Sequence, residues 1–523
     1  FLFKKLFQIS NKFGIETNQD FYFFLGILVF IIILISTLLR SLTAYAQAHF
    51  IYLQEHKMGK RLVELYLYQP YNWFLSKNSS DIGKTILSET AQIIGGGIYP
   101  AIELISKSIL SLAIIILLFV FNTKVTFFVI SIFGLSYFVI YFFLKKYLKK
   151  FGEIRIENNK LRFNVINEAF GGIKEAKVGG LEDIFIKKFS VYSYLYAKTF
   201  TKLIVIQQLP RFLLEIIFFG GIILLILYMI AATNSFNSIL PIISLYAFAG
   251  YRLLPAIQQI YVSISKLTFI SPSIDNVYRD FNKLKKSKDK GDEELITFNK
   301  EIILNDVSFD YPNSSRKILK NINLNITKNS IVGFVGKTGG GKTTVADLIL
   351  GILTPQKGAL EIDGKKITTK NVRNWQKLIG YVPQNIFLSD NTIAENIAYG
   401  VKKENIDEDK LKKVSITSNL HDFVMGELPN KYQTIIGERG IRISGGQRQR
   451  IAIARALYHD CKLLIFDEAT SALDNNTEKA VMDAVNNLRK DITIIIVAHR
   501  YATIKSCDII YEIKNGSVVK KGN

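Results

Sequence analysis

Two short runs in this chain carry residue types suited to phosphate chemistry. Gly336-Lys337-Thr338-Gly339-Gly340-Gly341-Lys342-Thr343 has the spacing G-x-x-x-x-G-K-[ST]. It follows an apolar run, Ile331 to Val335, and leads into a helical pattern that starts at Thr344. Glycines at these positions let backbone N–H groups close around phosphate oxygens, and a helix start adds positive potential. Lys342 is placed to bridge the outer phosphates of a nucleotide, Thr343 to ligate Mg²⁺, and Thr344 to complete the cradle. The second run, Leu463-Leu464-Ile465-Phe466-Asp467-Glu468, is four apolar residues ending in two carboxylates. A buried parallel strand delivers such groups at its carboxyl end, beside a phosphate loop. Asp467 is then a second Mg²⁺ ligand, and Glu468 polarises an attacking water. The implied chemistry is nucleoside triphosphate hydrolysis.

A parallel sheet must position these groups. After residue 300, short β-branched runs alternate with helical stretches, which is an α/β pattern. Before it, Asn282 to Asp292 is a charged run with no apolar period, so residues 282–300 read as a solvated linker. The expected division is a membrane domain at 1–281, the linker at 282–300 and a nucleotide-binding domain at 301–523.

The first half is of another kind. Hydrophobic residues make up 49 % of the 523 and charged ones 21 %, a pairing that fits one apolar half and one soluble half. A membrane helix needs ~20 apolar residues. Five runs qualify: Phe21 to Leu39, Ile102 to Phe121, Val125 to Leu144, Phe212 to Thr233, and Phe236 to Ile257. Asn122-Thr123-Lys124 and Asn234-Ser235 join two hairpins on one side. The other side receives long polar segments, residues 40–104 and 145–211, and the second holds fourteen Lys or Arg. The positive-inside rule makes them cytoplasmic, and their helical periodicity makes them extensions of the spans. The fold class is a membrane all-α bundle followed by an α/β P-loop domain.

The formal net charge is +22. Nucleic-acid binding would want a basic cluster with aromatics on a soluble fold. Here the lysines flank apolar spans, which fits anionic lipid headgroups instead, so no nucleic-acid partner is expected. Cys461 and Cys507, both in the soluble half, form neither a metal spacing nor a disulfide framework, which suits a reducing cytosol. Five spans with a cytosolic C-terminus place Phe1 outside. The stretch Phe1 to Phe13 has Phe3, Leu6, Phe7 and Phe13 near one helical face, an interfacial amphipathic pattern or a helix docked on the membrane domain.

Further residues match one family. Ile443-Ser444-Gly445-Gly446-Gln447 resembles the signature sequence of ABC transporters. Gln384 resembles their Q-loop glutamine, which the resemblance makes a catalytic residue and a third Mg²⁺ ligand. Ser471-Ala472-Leu473-Asp474 resembles the D-loop, His499 the switch histidine, and Tyr311 the aromatic that stacks on adenine. Gly437-Glu438-Arg439-Gly440 resembles the loop before the signature in exporters. The order Lys342, Gln384, Ser444, Asp467, His499 agrees as well. The resemblance implies ATP and Mg²⁺ as cofactors. It also implies two copies of the chain, each ATP lying between one copy's phosphate loop and the other's Ser444 to Gln447. That segment starts a helix, so its N–H groups would face the γ-phosphate.

Membrane domain first and ATPase second resembles the exporter half-transporters. This implies six spans, both termini in the cytosol and the sixth span upstream of Phe1, and coupling segments at the cytoplasmic tips, expected at Asp81 to Gln92 and at Asn167 to Lys177. Arg40, Arg211 and Arg252 lie at or within spans, and arginines match phosphate geometry. Arg40 at a helix end could snorkel instead, and Arg211 could pair with Glu215 four residues on. The stretches Leu209 to Glu215 and Tyr251 to Pro255 resemble the PglK type of lipid-linked oligosaccharide flippases. That type often carries another basic residue about two turns beyond Arg252, where this chain has Gln258 and Gln259. The resemblance implies a polyprenyl-pyrophosphate-linked glycan moved across a bacterial inner membrane, with the ATPase in the cytoplasm. A lipid A flippase and a peptide or drug exporter are the alternatives.

Overall fold

The structure, a computed structural model, describes residues 17–121, 123–232, 240–284, 294–311, 317–437, 440–468, 491–498, 504 and 507–522. The segments 1–16 and 471–490, together with Glu438, Arg439 and His499, lie outside the described residues. The chain forms two compact units. One is built on the helices before residue 287, and the other on Ser287–Asn523 together with Pro70–Ser76.

The first unit is helical. Its long members are Asn18–Leu67, Ser79–Phe121, Thr123–Gly171, Glu182–Ala232 and Leu240–Lys283. The first starts at Thr17, whose Oγ1 accepts from the Asp20 N–H at 3.2 Å. At a rise of ~1.5 Å per residue, a helix of 50 residues runs about 75 Å, against ~30 Å of hydrocarbon. Each apolar run therefore occupies less than half of its helix, and the polar remainder continues beyond the lipid. Among the described residues, four helices are long and apolar enough to cross a membrane: Gln19–Leu67, Ser79–Phe121, Glu182–Gly221 and Ala247–Lys283. Ile31 to Ile35 are all exposed on the first, a surface that lipid tolerates and water does not.

Two features pin helices in this unit. A Cβ at Gly152 would lie 2.0 Å from the Phe269 carbonyl oxygen, so Thr123–Gly171 crosses Leu240–Lys283 at a separation that only glycine permits. One turn on, the fully buried Arg155 meets Glu89 Oε2 at 2.8 Å and the Ser273 hydroxyl. Asn159 Nδ2 donates to Glu89 Oε1 at 3.2 Å, and Ser273 Oγ donates to Glu89 Oε2 at 2.8 Å. The knot joins three helices.

The turn between the first two long helices differs from expectation. Asp81 to Gln92 lies inside the helical run Ser79–Phe121, which includes a π-type turn at Lys84–Glu89. The break comes about ten residues earlier. Pro70, extended at φ −64° and ψ 152°, cannot continue the helix that ends at Leu67, and the short helix Tyr71–Leu75 follows. That helix belongs to the second unit, through Pro70–Ser76. The other expected segment straddles the end of Thr123–Gly171 and the short helix Ile173–Val178.

The second unit holds two sheets. The strands are β1 Glu301–Phe309, β2 Leu319–Thr327, β3 Ile331–Val335, β4 Lys357–Ile362, β5 Lys365–Lys366, β6 Ile379–Val382, β7 Leu463–Asp467, β8 Thr493–Val497, β9 Ile509–Lys514 and β10 Ser517–Gly522. One sheet is antiparallel, ordered β2-β1-β4-β5. The other is ordered β10-β9-β3-β8-β7-β6, parallel except for β10. Every residue of β3, β7 and β8 is buried, which is why these strands read as unbroken apolar runs. The register places Val497 opposite both Phe334 and Asp467. The carboxyl ends of β3, β8 and β7 therefore share one edge, and there the loops carrying the chemistry emerge.

Candidate functional site

The loop after β3 turns tightly, and its glycines are required by geometry. Gly336 has φ 141°, and a Cβ there would sit 2.0 Å from the Ile513 carbonyl oxygen. Gly341 has φ 107°, with 2.7 Å between its would-be Cβ and Leu319. Such angles favour glycine. Gly341 then caps the helix Lys342–Ile349, whose first N–H groups face the loop. Lys337, Thr338, Gly339 and Gly340 complete the bend, with the Gly340 N–H donating to the Lys337 carbonyl at 3.0 Å. Lys342 Nζ donates to the carbonyls of Gly336 at 2.9 Å and Lys337 at 3.3 Å. Burial pulls its ammonium below the usual lysine range, against the opposing pull of Glu468 and Asp467.

The acidic pair arrives from β7. Thr343 Oγ1 donates to Asp467 Oδ1 at 3.4 Å, so the hydroxyl and the carboxylate converge in front of the loop. Burial, and then the nearby Glu468, raises the Asp467 carboxyl above its usual range. Glu468 follows with φ 53°, a strained angle for a side-chain-bearing residue, and its N–H donates to the Val497 carbonyl at 3.0 Å. Its side chain accepts from Gln384 Nε2 at 2.7 Å. Gln384 lies just past β6, the neighbour of β7. Five residues singled out from the sequence thus meet: Lys342, Thr343, Gln384, Asp467 and Glu468.

Tyr311 stands at one side. Its hydroxyl lies 3.2 Å from that of Thr344, and its ring packs edge-on to Phe309 at 5.1 Å. Ser444, Gly445, Gly446 and Gln447 form the start of the helix Gly445–Tyr458. Ser444 Oγ accepts from the Gln447 N–H at 3.2 Å, and Gln447 Oε1 accepts from the Ser444 N–H at 2.8 Å, a reciprocal cap. Among the described residues no hydrogen bond joins this helix start to the phosphate loop of the same chain. His499 and the segment Ser471 to Asp474 lie outside the described residues.

Two groups at the site were not assigned from the sequence. The Tyr381 hydroxyl donates to Asp467 Oδ2 at 3.5 Å. Asp347, on the helix after the loop, is buried, and its carboxyl is pushed up to about 6 by burial and by Asp467. The β6–β7 pairing, which only the sheet reveals, brings Tyr381 alongside.

A magnesium nucleotide fits this donor set. Thr343, Asp467 and Gln384 offer hard oxygens of the kind Mg²⁺ takes, and the glycine cradle would be filled by any Cβ at Gly336 or Gly341. Bound there, Mg²⁺ would neutralise charge on the outer phosphates.

The three arginines sit on three helices. Arg211 Nε donates to Glu215 Oε1 at 2.7 Å, the pairing that its spacing allows. Arg40 lines a recess with Ile32, Ile35, Ser36, Leu39 and Thr43. Arg252 is exposed. Neither Arg40 nor Arg252 makes an ion pair with a described residue.

Comparison with known proteins agrees with both halves. Residues 1–254 match the family model of the ABC transporter transmembrane region, and residues 319–471 match the ABC transporter family model. An ATP-dependent lipid A-core flippase of Saccharophagus degradans is 31 % identical over 467 residues, covering 89 % of this chain and 78 % of that protein. A protein of the same name from Wigglesworthia glossinidia brevipalpis is 29 % identical, covering 87 % and 78 %. A bacterial Atm1-family ABC exporter with ATP bound superposes with a TM-score of 0.84 at 20 % identity. The match covers 100 % of this chain and 91 % of that one, a likeness of fold.

Proposed function

Because this chain belongs to the ABC transporters, as an ATP-hydrolysing exporter with its transmembrane region and ATPase fused, we propose that its cargo is an amphipathic anionic lipid. The observation that carries this reading is the state of the arginines. Arg211 has its carboxylate in Glu215, whereas Arg40 and Arg252 have none among the described residues. A guanidinium held at membrane depth without a counter-ion is costly, and a lipid phosphate or pyrophosphate would supply the charge-assisted partner. The first reading is a polyprenyl-pyrophosphate-linked oligosaccharide. The second is a lipid A-core glycolipid, favoured by the two relatives of that name. Both place phosphate beside a lipid.

The ATPase roles follow from the residues. The loop 336–344 binds the phosphates, Lys342 bridges the outer ones, and Thr343, Gln384 and Asp467 hold Mg²⁺. Glu468 takes a proton from the attacking water, and His499 and Tyr311 act on the γ-phosphate and the adenine. Ser444 to Gln447 complete the site of a second copy, so the working unit is a homodimer. The domain boundaries at 281 and 301 and placement in a bacterial inner membrane, with the ATPase in the cytoplasm, belong to the same proposal.

The test is a flipping assay in proteoliposomes. It compares a polyprenyl-pyrophosphate glycan, lipid A-core and a neutral lipid, with wild type and Arg252→Ala. The variant is expected to move the anionic lipids about tenfold more slowly, the size of a lost charged hydrogen bond, while basal ATPase persists. Equal rates for Arg252→Ala, or equal transport of the neutral lipid by wild type, would overturn the reading. The ratio between the two anionic lipids decides between its two forms.

A further inference from the structure

Pro210 lies inside the helix Glu182–Ala232. It has no N–H, so the carbonyl of Ile206, four residues earlier, loses its helical partner. The carbonyl of Gln207 stands in the same turn. Carbonyls in a buried apolar setting must find another donor. Both find one on a single neighbouring helix, Leu240–Lys283. The Tyr261 hydroxyl donates to the Ile206 carbonyl at 3.2 Å, and Gln258 Nε2 donates to the Gln207 carbonyl at 2.7 Å. Gln258 Oε1 in turn accepts from the Tyr137 hydroxyl at 2.9 Å, on the helix Thr123–Gly171. Tyr137, Tyr261 and Leu214 are buried together, with the two tyrosine rings 5.3 Å apart.

A second proline shows that this arrangement is not automatic. Pro272, inside Leu240–Lys283, frees the carbonyl of Thr268 in the same way. That carbonyl is taken by Ser271 Oγ at 3.0 Å, on the same helix. Pro272 is therefore satisfied locally and ties nothing, whereas Pro210 is satisfied only across a helix interface.

We infer that Gln258 and Tyr261 are positioning residues that form an interhelical tie made obligatory by Pro210. The tie locks the turn before Arg211 to the neighbouring helix, so that the two helices move as one body during transport. It is independent of which lipid is carried. It also accounts for a glutamine at position 258: one amide can donate to a backbone carbonyl of that turn and accept from a tyrosine at once, which a cationic side chain cannot do.

The experiment uses the full chain and a mutant cycle. Tyr261→Phe and Gln258→Leu are made with Pro210 present and with Pro210→Ala, which restores the missing N–H. Pro210→Gly also restores it and replaces the alanine variant if that one fails to fold. With Pro210 present, each change is expected to lower the apparent Tm by about 2–4 °C. In the Pro210→Ala or Pro210→Gly background the Tyr261→Phe effect should vanish. The Gln258→Leu effect should shrink to what the Tyr137 bond contributes. Hydrogen exchange read by mass spectrometry over residues 203–214 supplies the readout of motion. Protection there should be the same in the resting and vanadate-trapped wild type, and should fall in both states in Tyr261→Phe. Equal Tm penalties with and without Pro210 would overturn the tie. Protection that wild type loses on trapping would overturn the claim that the helices move together.

Discussion

In the ATPase unit, chemistry is concentrated in neighbouring residues. The loop 336–343 builds its own cradle, and Asp467 and Glu468 arrive side by side at the end of one strand. In the helical unit, polar groups are held by residues far apart in the chain. Glu89 meets Arg155 and Ser273, and Ile206 meets Tyr261. The cause is the architecture of each half. A sheet with a wet carboxyl edge can collect charged groups on adjacent loops. A long helix has no such edge, so a buried charged side chain or a carbonyl without its helical donor takes its partner from a helix packed against it. Substitutions at the ATPase site should therefore act on turnover, and those at the buried polar contacts of the helical unit on stability.

The largest effect expected is at Glu468. Glu468→Gln should lower steady-state ATP turnover by about 100-fold or more, the scale of a lost general base. Nucleotide binding should persist, because Gly336 to Thr343 are untouched, and both can be read from phosphate release and equilibrium binding. Turnover near wild type would break the assignment. Next comes Gly336→Ala. The added Cβ would meet the Ile513 carbonyl oxygen at 2.0 Å in a backbone with φ 141°. Binding of ATP should be lost together with about 2 kcal/mol or more of domain stability.

The helical unit sharpens the contrast through the Glu89–Arg155 pair. Arg155→Met alone leaves the Glu89 carboxylate buried with only its Ser273 and Asn159 bonds, and should cost about 3–5 kcal/mol. Glu89→Leu combined with Arg155→Met should cost clearly less, because no charge then remains buried. Thermal unfolding of the single and double variants decides this. If the double variant is the less stable, the pair is a net stabiliser.

The smallest effect concerns the thiols. Burial pushes Cys461 up to about 11 and Cys507 up to about 12, from an ordinary value of 9.0. Both stay protonated in the folded domain at pH 8, so alkylation should be slow until denaturant is added. Since the folded values are raised, the stability involved is present below pH 9.0 and is lost as pH rises through 11 to 12. Fast labelling of the native protein at pH 8 would contradict the burial.

Much of the ATPase site was legible because its function demands particular residues at fixed local spacing. Only glycine fits φ 141° at position 336, so the phosphate loop is written in the sequence itself. The apolar runs announced the long helices for a similar reason, since lipid admits no substitute for a stretch of that length. Tyr381 and Asp347 were not legible. Their roles depend on β6 lying beside β7 and on how deeply one helix is buried, neither of which leaves a local pattern.

The turn between the first two long helices falls near Pro70 and not within Asp81 to Gln92, because helical periodicity runs through residues 79–92 without a break. The decisive signal was Pro70, which stops the first long helix and sets Tyr71–Leu75 with the ATPase unit. The sequence by itself determined the nucleotide chemistry, the two kinds of domain and the helix lengths, all of which rest on local sterics or on the thickness of lipid. Tertiary structure alone decided that Arg155 is buried against Glu89, that Tyr261 serves the Ile206 carbonyl freed by Pro210, and that Gln258 serves the Gln207 carbonyl beside it. Those outcomes depend on which helix faces stand opposite one another, and no spacing along a single chain encodes that.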